Sequence, residues 1–145
     1  MKLRLLSFSA VLFLALGLVW YFAYPLKIES LLRHTATIEK IDCIIIAEGE
    51  SKPYSLPMDD HSSVDELIDI LGSERYTREL NTYKGSTDRV IIMTFFYRNA
   101  EGELGNYSFD INESGVLISD QKQYQMKGET EVVFNELYEW ILHKS

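Results

Sequence analysis

The stretch RVIIMTFFYR, residues 89–98, decides the fold that this 145-residue sequence predicts. Its apolar side chains occupy both alternating sets of positions, which is typical of a central strand covered on both faces. A turn-forming stretch, NAEGELGN at residues 99–106, follows it and leads into NYSFDIN at residues 106–112. In that second segment apolar and polar residues alternate, as in a strand with one buried face. The two segments therefore predict neighbouring antiparallel strands.

Shorter strand patterns lie on both sides of this pair. Upstream, TIEKIDCIIIA at residues 37–47 is rich in β-branched residues, and its alternation predicts that Cys43 is a small buried core residue. Downstream, ESG at residues 113–115 predicts a turn before the strand VLIS at residues 116–119. We expect this last strand to continue as far as Met126.

Two amphipathic helices are predicted in the same part of the chain. In SSVDELIDILG, residues 62–72, apolar residues recur at helical spacing, and Ser63 and Glu66 have the spacing of a capping box. A second helix is predicted over residues 131–143, with Thr130 as its N-cap. Its expected buried stripe consists of Val133, Phe134, Leu137, Trp140 and Ile141.

The order of these segments predicts an α+β domain in which an antiparallel sheet is packed by two helices, preceded by an N-terminal transmembrane helix. Residues 48–55, EGESKPYS, are expected to form a loop. Residues 73–88 predict an irregular segment with a short extended piece.

The N-terminal segment LLSFSAVLFLALGLVWYFAY, residues 5–24, carries no charge and is long enough to cross a bilayer. A secretory signal has a shorter apolar core followed by a small-x-small cleavage site. The nearest such triplet, residues 15–17, lies inside the apolar run. The aromatic residues of 20–24 are typical of a membrane–water interface. A retained anchor is therefore the favoured interpretation, with a cleaved signal peptide as the alternative.

Orientation follows from the short basic tail that leads directly into the apolar run, as in a signal sequence. Lys2 and Arg4 favour a cytoplasmic N-terminus, although Lys27 and Arg33 flank the other end. We therefore expect a single-pass protein of the cell membrane with its C-terminal domain outside the cytoplasm. The predicted organisation is a cytoplasmic tail at 1–4, an anchor at 5–24, a juxtamembrane segment at 25–34 and an extracytoplasmic domain at 35–145.

The charge balance limits the partners of that domain. Residues 35–145 contain 10 basic and 21 acidic residues, a net charge of −11. Nucleic-acid binding depends on neutralising phosphates, so a nucleic-acid partner is not expected. The chain has one cysteine, which excludes an intramolecular disulfide.

One basic cluster interrupts this acidic domain. The stretch ERYTRELNTYKGSTDR, residues 74–89, holds four of the domain's ten basic residues, interleaved with tyrosines. It is the candidate for an anion-binding or polar ligand site, although such residues more often pair with neighbouring acids. The candidate residues are Arg75, Tyr76, Arg78, Tyr83, Lys84 and Arg89.

The stretch DINESGVLISDQ, residues 110–121, matches the start of an EF-hand calcium loop. Its later ligand positions fail, because Ile118 occupies position 9 and Gln121 replaces the bidentate glutamate of position 12. The flanking residues also alternate as strands where the motif needs helices. A hairpin turn that uses Asn112 and Gly115 at positive φ is therefore the favoured interpretation, with calcium binding as the alternative.

No other pattern in the sequence indicates chemistry. Residues 59–61, Asp-Asp-His, are expected to form a solvated loop that leads into the helix. Neither His34 nor His143 has the ligand spacing of a zinc site. The hydrolase motifs G-x-S-x-G, S-x-x-K and H-E-x-x-H do not occur. We therefore predict no catalytic residue, no cofactor and no metal site.

The layout resembles small membrane-anchored or lipoprotein-type proteins of unknown function from Gram-positive bacteria. The resemblance lies in an isoleucine-rich strand, the helix V-D-E-L-I-D-I-L at residues 64–71, the strand I-I-M-T-F-F-Y at 91–97 and a closing helix. The lipobox cysteine of the lipoprotein members is missing. The resemblance implies an extracytoplasmic setting and supplies no catalytic residues.

These features predict a non-enzymatic domain, tethered to the membrane through residues 5–24, that binds a protein or an envelope component. The alternative is a membrane-bound immunity or inhibitor protein whose acidic surface neutralises a basic partner. An enzyme of unrecognised type is the third interpretation.

Overall fold

The computed structural model describes residues 2–58, 61–80 and 88–145, and only the backbone of residues 2–8 and of His61. The described part of the chain is α+β, as predicted. Its α-helices and strands are α1 (Lys2–Ala23), β1 (Ile38–Ala47), β2 (Glu50–Pro57), α2 (His61–Gly72), β3 (Arg75–Glu79), β4 (Val90–Arg98), β5 (Leu104–Asn112), β6 (Val116–Ser119), β7 (Lys122–Lys127) and α3 (Thr130–Lys144).

The strands form one seven-stranded sheet in the order β2-β1-β4-β5-β6-β7-β3. All six neighbouring pairs are antiparallel. Strand β4 lies between β1 and β5, which confirms that residues 89–98 contain a central strand. Its residues Ile91, Met93 and Phe95 are buried, but the alternate residues from Val90 to Phe96 are only half-buried. The prediction that both faces of this strand are covered is therefore wrong for the second face.

The buried face of the sheet and the two C-terminal helices share one hydrophobic core. Helix α2 contributes Val64, Leu67 and Leu71 to it. Helix α3 contributes the stripe that the sequence predicted: Val133, Phe134, Leu137, Trp140 and Ile141. The prediction of an antiparallel sheet packed by two helices is thus confirmed.

Polar side chains at one end of this helix pair join α2 to α3. The Glu66 carboxylate accepts hydrogen bonds from Trp140 Nε1 at 3.0 Å and from Lys144 Nζ at 2.9 Å. Lys144 also donates to the Ser63 hydroxyl at 3.2 Å. Because α2 includes His61, Ser63 lies inside the first turn, so the predicted capping box is wrong. The N-cap of α3 is Glu129 instead of the predicted Thr130.

Two features of the sheet differ from the sequence-based prediction. Residues 48–55 were expected to be a loop, but Glu48 and Gly49 form a turn at positive φ and β2 follows. The strand expected to run from Val116 to Met126 is broken into β6 and β7 by a turn at Asp120 and Gln121, which have φ of 50° and 62°. The short extended piece expected within residues 73–88 is β3.

The segment between α1 and β1 belongs to the core. It contains a short 3-10 helix at Ile28–Ser30, and its side chains Leu26, Ile28, Leu31 and Leu32 are buried. Leu26 also pairs with Tyr76 of β3, and the two backbone hydrogen bonds measure 2.7 and 3.0 Å. Residues 25–34, assigned above to a juxtamembrane segment, therefore pack as part of the C-terminal domain.

Helix α1 contacts the outer edge of β3. The guanidinium of Arg78 lies 4.2 Å from the centre of the Tyr21 ring and donates to the Tyr21 carbonyl at 3.1 Å. Most of the described helix surface is apolar and exposed, and half or more of each of Val11, Leu12, Phe13, Leu14, Leu16, Leu18, Val19 and Trp20 is accessible to solvent. Within the residues described, no helix is both long and apolar enough to span a membrane.

Candidate functional site

The fold separates the members of the predicted basic cluster. Arg75 and Arg78 lie on β3 at one edge of the sheet, whereas Arg89 immediately precedes β4. Strands β5, β6 and β7 lie between β4 and β3 in the sheet. Lys84 and Tyr83 lie outside the described residues. The cluster is therefore continuous in sequence but divided between two regions of the described surface.

Tyr76, the remaining member of the predicted cluster, is a core residue. It is fully buried, and its hydroxyl donates to the Leu71 carbonyl at 2.6 Å. Burial raises the pKa of this phenol above its ordinary value, with a further contribution from the charge of Glu74. Tyr76 therefore holds β3 against α2 and against Leu26, and it does not belong to a surface site.

Arg89 lines a polar cavity of about 280 Å³ between the β1–β2 turn and α3. Its guanidinium forms hydrogen bonds of 3.2 and 2.8 Å with the Glu113 carboxylate and one of 2.7 Å with Asn135. The hydrogen bond with Arg89 lowers the pKa of Glu113, and the same bond raises the pKa of Arg89. The Arg89 guanidinium is therefore paired with neighbouring side chains. This agrees with the interpretation that the basic residues of 74–89 pair with nearby acids instead of binding a ligand.

The other end of the cluster borders a second depression, an open groove that the sequence did not predict. This groove, of about 680 Å³, lies between α1 and the β3 edge. Arg78 contributes to its wall together with Lys127 of β7. No local pattern connects these residues, because α1, β3 and β7 are separated by about 50 residues of sequence at each step. The groove residues are Leu18, Val19, Phe22, Ala23, Thr77, Arg78, Glu79 and Lys127.

Among the described residues, one carboxylate oxygen on the sheet face opposite the helices lacks a hydrogen-bond partner. Within the described residues, Asp110 Oδ1 is buried and has no hydrogen-bond partner. Its neighbours across the strands are Ile92 and Ile118. Burial raises the pKa of Asp110 above the ordinary value of 3.8. An apolar neighbourhood without a donor explains this direction, since it disfavours the ionised form.

We expect Asp110→Asn to stabilise the protein at pH 7 and to have no effect at pH 3. Because the pKa of Asp110 is higher in the folded state than in the unfolded state, ionisation of this carboxyl destabilises the fold. The protein therefore has its full stability below about pH 4 and loses part of it as the pH rises through the folded-state pKa. The substitution removes that loss. Although Oδ1 is buried, Asp110 as a whole is only half-buried and is partly screened by solvent, so the loss amounts to roughly 1 kcal/mol. Urea unfolding at both pH values measures the difference.

Asp42 on the same sheet face provides the matched control. Burial opposes its ionisation, but hydrogen bonds from Ser55 and Lys40 give a net lowering of its pKa. Asp42→Asn should therefore destabilise the protein at pH 7, and the difference should shrink as pH falls through the lowered pKa. The same sign for both substitutions would contradict this account of Asp110.

Cys43 is a core residue, and the calcium-like loop forms a hairpin turn. Cys43 is 1 % exposed, as predicted, and burial raises the pKa of its thiol to about 12, so little reactive thiolate forms at neutral pH. Residues 110–118 form a β-hairpin, as predicted, with Gly115 at φ 79°. Asn112 does not have positive φ. Its side chain instead accepts hydrogen bonds from Val116 N–H at 2.8 Å and from the Ser114 hydroxyl at 3.0 Å.

The histidines lie in separate places. His34 stacks on Tyr97, with 3.8 Å between the ring centres, and His143 is in the last turn of α3. Asp59 and Asp60 lie outside the described residues, whereas His61 begins α2. No group of three or more potential ligands that could hold a metal ion occurs among the residues described.

No protein-family model matches the chain, and no curated protein or solved structure matches it. The resemblance to small membrane-anchored proteins of Gram-positive bacteria stays a prediction.

Proposed function

We propose that this chain is a single-pass membrane-anchored protein whose C-terminal domain lies outside the cytoplasm and binds a protein or an envelope component without catalysis. The observation that carries the proposal is the continuous exposed apolar surface of α1 from Val11 to Trp20. A surface of this kind is rare on water-soluble proteins and marks contact with a membrane or a partner.

The sequence supports a membrane as that contact. Residues 5–24 form an uncharged run of twenty residues, which matches the length that crosses a bilayer as a helix. The side chains of residues 5–8 lie outside the described part, so the proposal relies on the sequence for them. Trp20, Tyr21 and Tyr24 supply the aromatic residues that favour the membrane–water interface.

The connection between α1 and the domain supports a domain held close to the membrane surface. Only Tyr24 and Pro25 separate the end of α1 from Leu26, which is paired with Tyr76. The contact of Arg78 with Tyr21 adds a second link between helix and sheet. A flexible linker is therefore absent at this junction, and α1 and the sheet edge should move together.

The chemistry of the described residues favours binding over catalysis. The thiol of Cys43 is buried with a raised pKa, and Arg89 is occupied by Glu113 and Asn135. Arg98 is similarly held by Glu39, with hydrogen bonds of 2.7 and 3.1 Å. Nucleophilic and cationic side chains in these states are poorly available for a reaction.

Membrane fractionation and protease treatment of intact cells test the proposal. The full chain should remain in the membrane fraction with an N-terminal epitope tag still attached, and external protease should remove its C-terminal tag. The double substitution Leu12→Arg and Leu14→Arg should release the protein into the soluble, protease-protected fraction. Each arginine in the centre of the span opposes insertion by about 3 kcal/mol.

The control is the double substitution of the same two residues by alanine, which keeps the segment uncharged and should leave the protein in the membrane. Loss of the N-terminal tag from the mature protein would favour a cleaved signal peptide. A membrane-bound domain that is protected in intact cells and cleaved only after lysis would overturn the extracytoplasmic placement.

A further inference from the structure

The groove between α1 and β3 has two chemically different walls. One wall is the C-terminal part of α1, where Leu18 and Val19 are 59 % and 66 % exposed and Phe22 is half-buried. The other wall is the sheet edge, which supplies the hydroxyl of Thr77 and the charged groups of Arg78 and Lys127. A ligand that fills the groove must therefore have an apolar part that lies against α1 and a polar part that lies against the sheet edge.

The polar wall favours an anion. It has two cations, Arg78 and Lys127, against the single carboxylate of Glu79. Glu79 also accepts a hydrogen bond from Gln123 of β7 at 3.3 Å, which occupies one of its carboxylate oxygens. Among the described residues, neither Arg78 nor Lys127 forms an ion pair, in contrast to Arg89 and Arg98.

Arg78 is positioned by its neighbours without being neutralised by them. Its guanidinium lies on the Tyr21 ring and donates one hydrogen bond to the Tyr21 carbonyl. A guanidinium carries five N–H donors, so most of its hydrogen-bonding capacity stays available to an anionic ligand. Stacking on an aromatic ring also holds the planar group in one orientation, which reduces the entropy lost on binding.

The apolar wall is continuous with the proposed anchor, since Leu18 and Val19 lie within residues 5–24. We propose that the groove binds an anionic phospholipid of the same membrane, with an acyl chain along α1 and the phosphate beside Arg78 and Lys127. This inference rests on the proposed membrane anchor. The domain's net charge of −11 does not oppose it, because charges farther away than about 8 Å are largely screened at physiological salt.

Lipid-dependent quenching of Trp20 tests the inference in reconstituted full-length protein. Trp20 neighbours the groove residue Val19, and Trp140→Phe leaves it as the only tryptophan of the two in the chain. Lipids with brominated acyl chains quench tryptophan on contact. Brominated phosphatidylglycerol should bind this surface, as measured by quenching of Trp20, about fivefold more tightly than brominated phosphatidylcholine. Arg78 and Lys127 against Glu79 leave one net positive charge in the groove, and one such charge near anionic lipid changes the affinity by about that factor.

Arg78→Gln combined with Lys127→Gln should abolish the preference for phosphatidylglycerol. The matched control is Lys40→Gln combined with Lys52→Gln, which removes the same charge from β1 and β2 near the opposite sheet edge and should keep the preference. Equal quenching by the two lipids in the parent protein, or a preference that survives in the Arg78 and Lys127 variant, would overturn the inference. Absence of quenching by either lipid would instead show that the proposed anchor itself is wrong.

Discussion

A chain that begins at Thr35 should fail to fold, whereas a chain that begins at Pro25 should fold cooperatively. The four buried side chains Leu26, Ile28, Leu31 and Leu32 precede Thr35. Burial of one such side chain stabilises a protein by about 1.5–3 kcal/mol, so their loss removes roughly 6–12 kcal/mol. That loss is comparable with the whole free energy of unfolding of an ordinary domain, about 5–15 kcal/mol.

Polar contacts of the same segment add to the loss. The shorter chain lacks the backbone pairing of Leu26 with Tyr76, and both backbone hydrogen bonds between Arg33 and the Tyr107 hydroxyl, at 3.1 and 2.8 Å. Burial raises the pKa of the Tyr107 hydroxyl to about 12. In the shorter chain this buried hydroxyl would lose both hydrogen-bond partners.

Circular dichroism with thermal unfolding of residues 25–145 and 35–145 measures this effect. Both chains lack α1, so any aggregation caused by the apolar helix is absent from the comparison. Ile28→Ala in the longer chain provides a graded control, with an expected loss of about 2–4 kcal/mol. A cooperative transition of 35–145 within a few degrees of the longer chain would show that residues 25–34 are dispensable.

The elements that the sequence predicted well are those with a long regular pattern. Helix α3 presents its five buried residues at helical spacing over about two and a half turns. In β5, apolar and polar residues alternate from Asn106 to Asn112. In each of these cases the local period agrees with the tertiary environment, so the sequence alone specifies which face is buried.

Strand β2 was missed because its sequence contains two prolines, which cannot donate to a ladder. Pro53 and Pro57 pair with Ile44 and Lys40 of β1. The two prolines are four residues apart, so both occupy positions where a backbone N–H would point away from β1. Strand β2 also forms one edge of the described sheet. The prolines therefore cost no ladder bond and instead obstruct pairing with another strand.

The candidate site was only partly predictable, because sequence neighbours need not share a surface. Alternation along β3 places Tyr76 in the core, next to Arg75 and Thr77 on the other face. The partners that give Arg78 and Arg89 their surroundings are Tyr21 of α1 and Glu113 after β5. Such pairings depend on strand order and on the docking of α1, which no local pattern in the sequence specifies.

The second large effect is expected at Gly115, where alanine should destabilise the protein by about 3 kcal/mol. The residue has φ 79°, a conformation that costs a non-glycine residue about 1–2 kcal/mol. An added Cβ would also lie 2.5 Å from Thr130 Cγ2 and 3.1 Å from Met126 Cβ. Relief of these contacts requires movement of α3 or β7, which adds about 1–3 kcal/mol.

Gly102→Ala separates the two contributions to this loss. Gly102 has nearly the same φ, 82°, but a Cβ there would meet nothing within 4 Å. Its substitution should therefore cost only the conformational part, and the difference between the two variants in urea unfolding reports the contact with Thr130. Equal losses would show that the turn does not pack against α3.

A rise in thermal stability of the parent protein on adding calcium would favour a calcium loop over the turn, since a ligand stabilises the state that binds it.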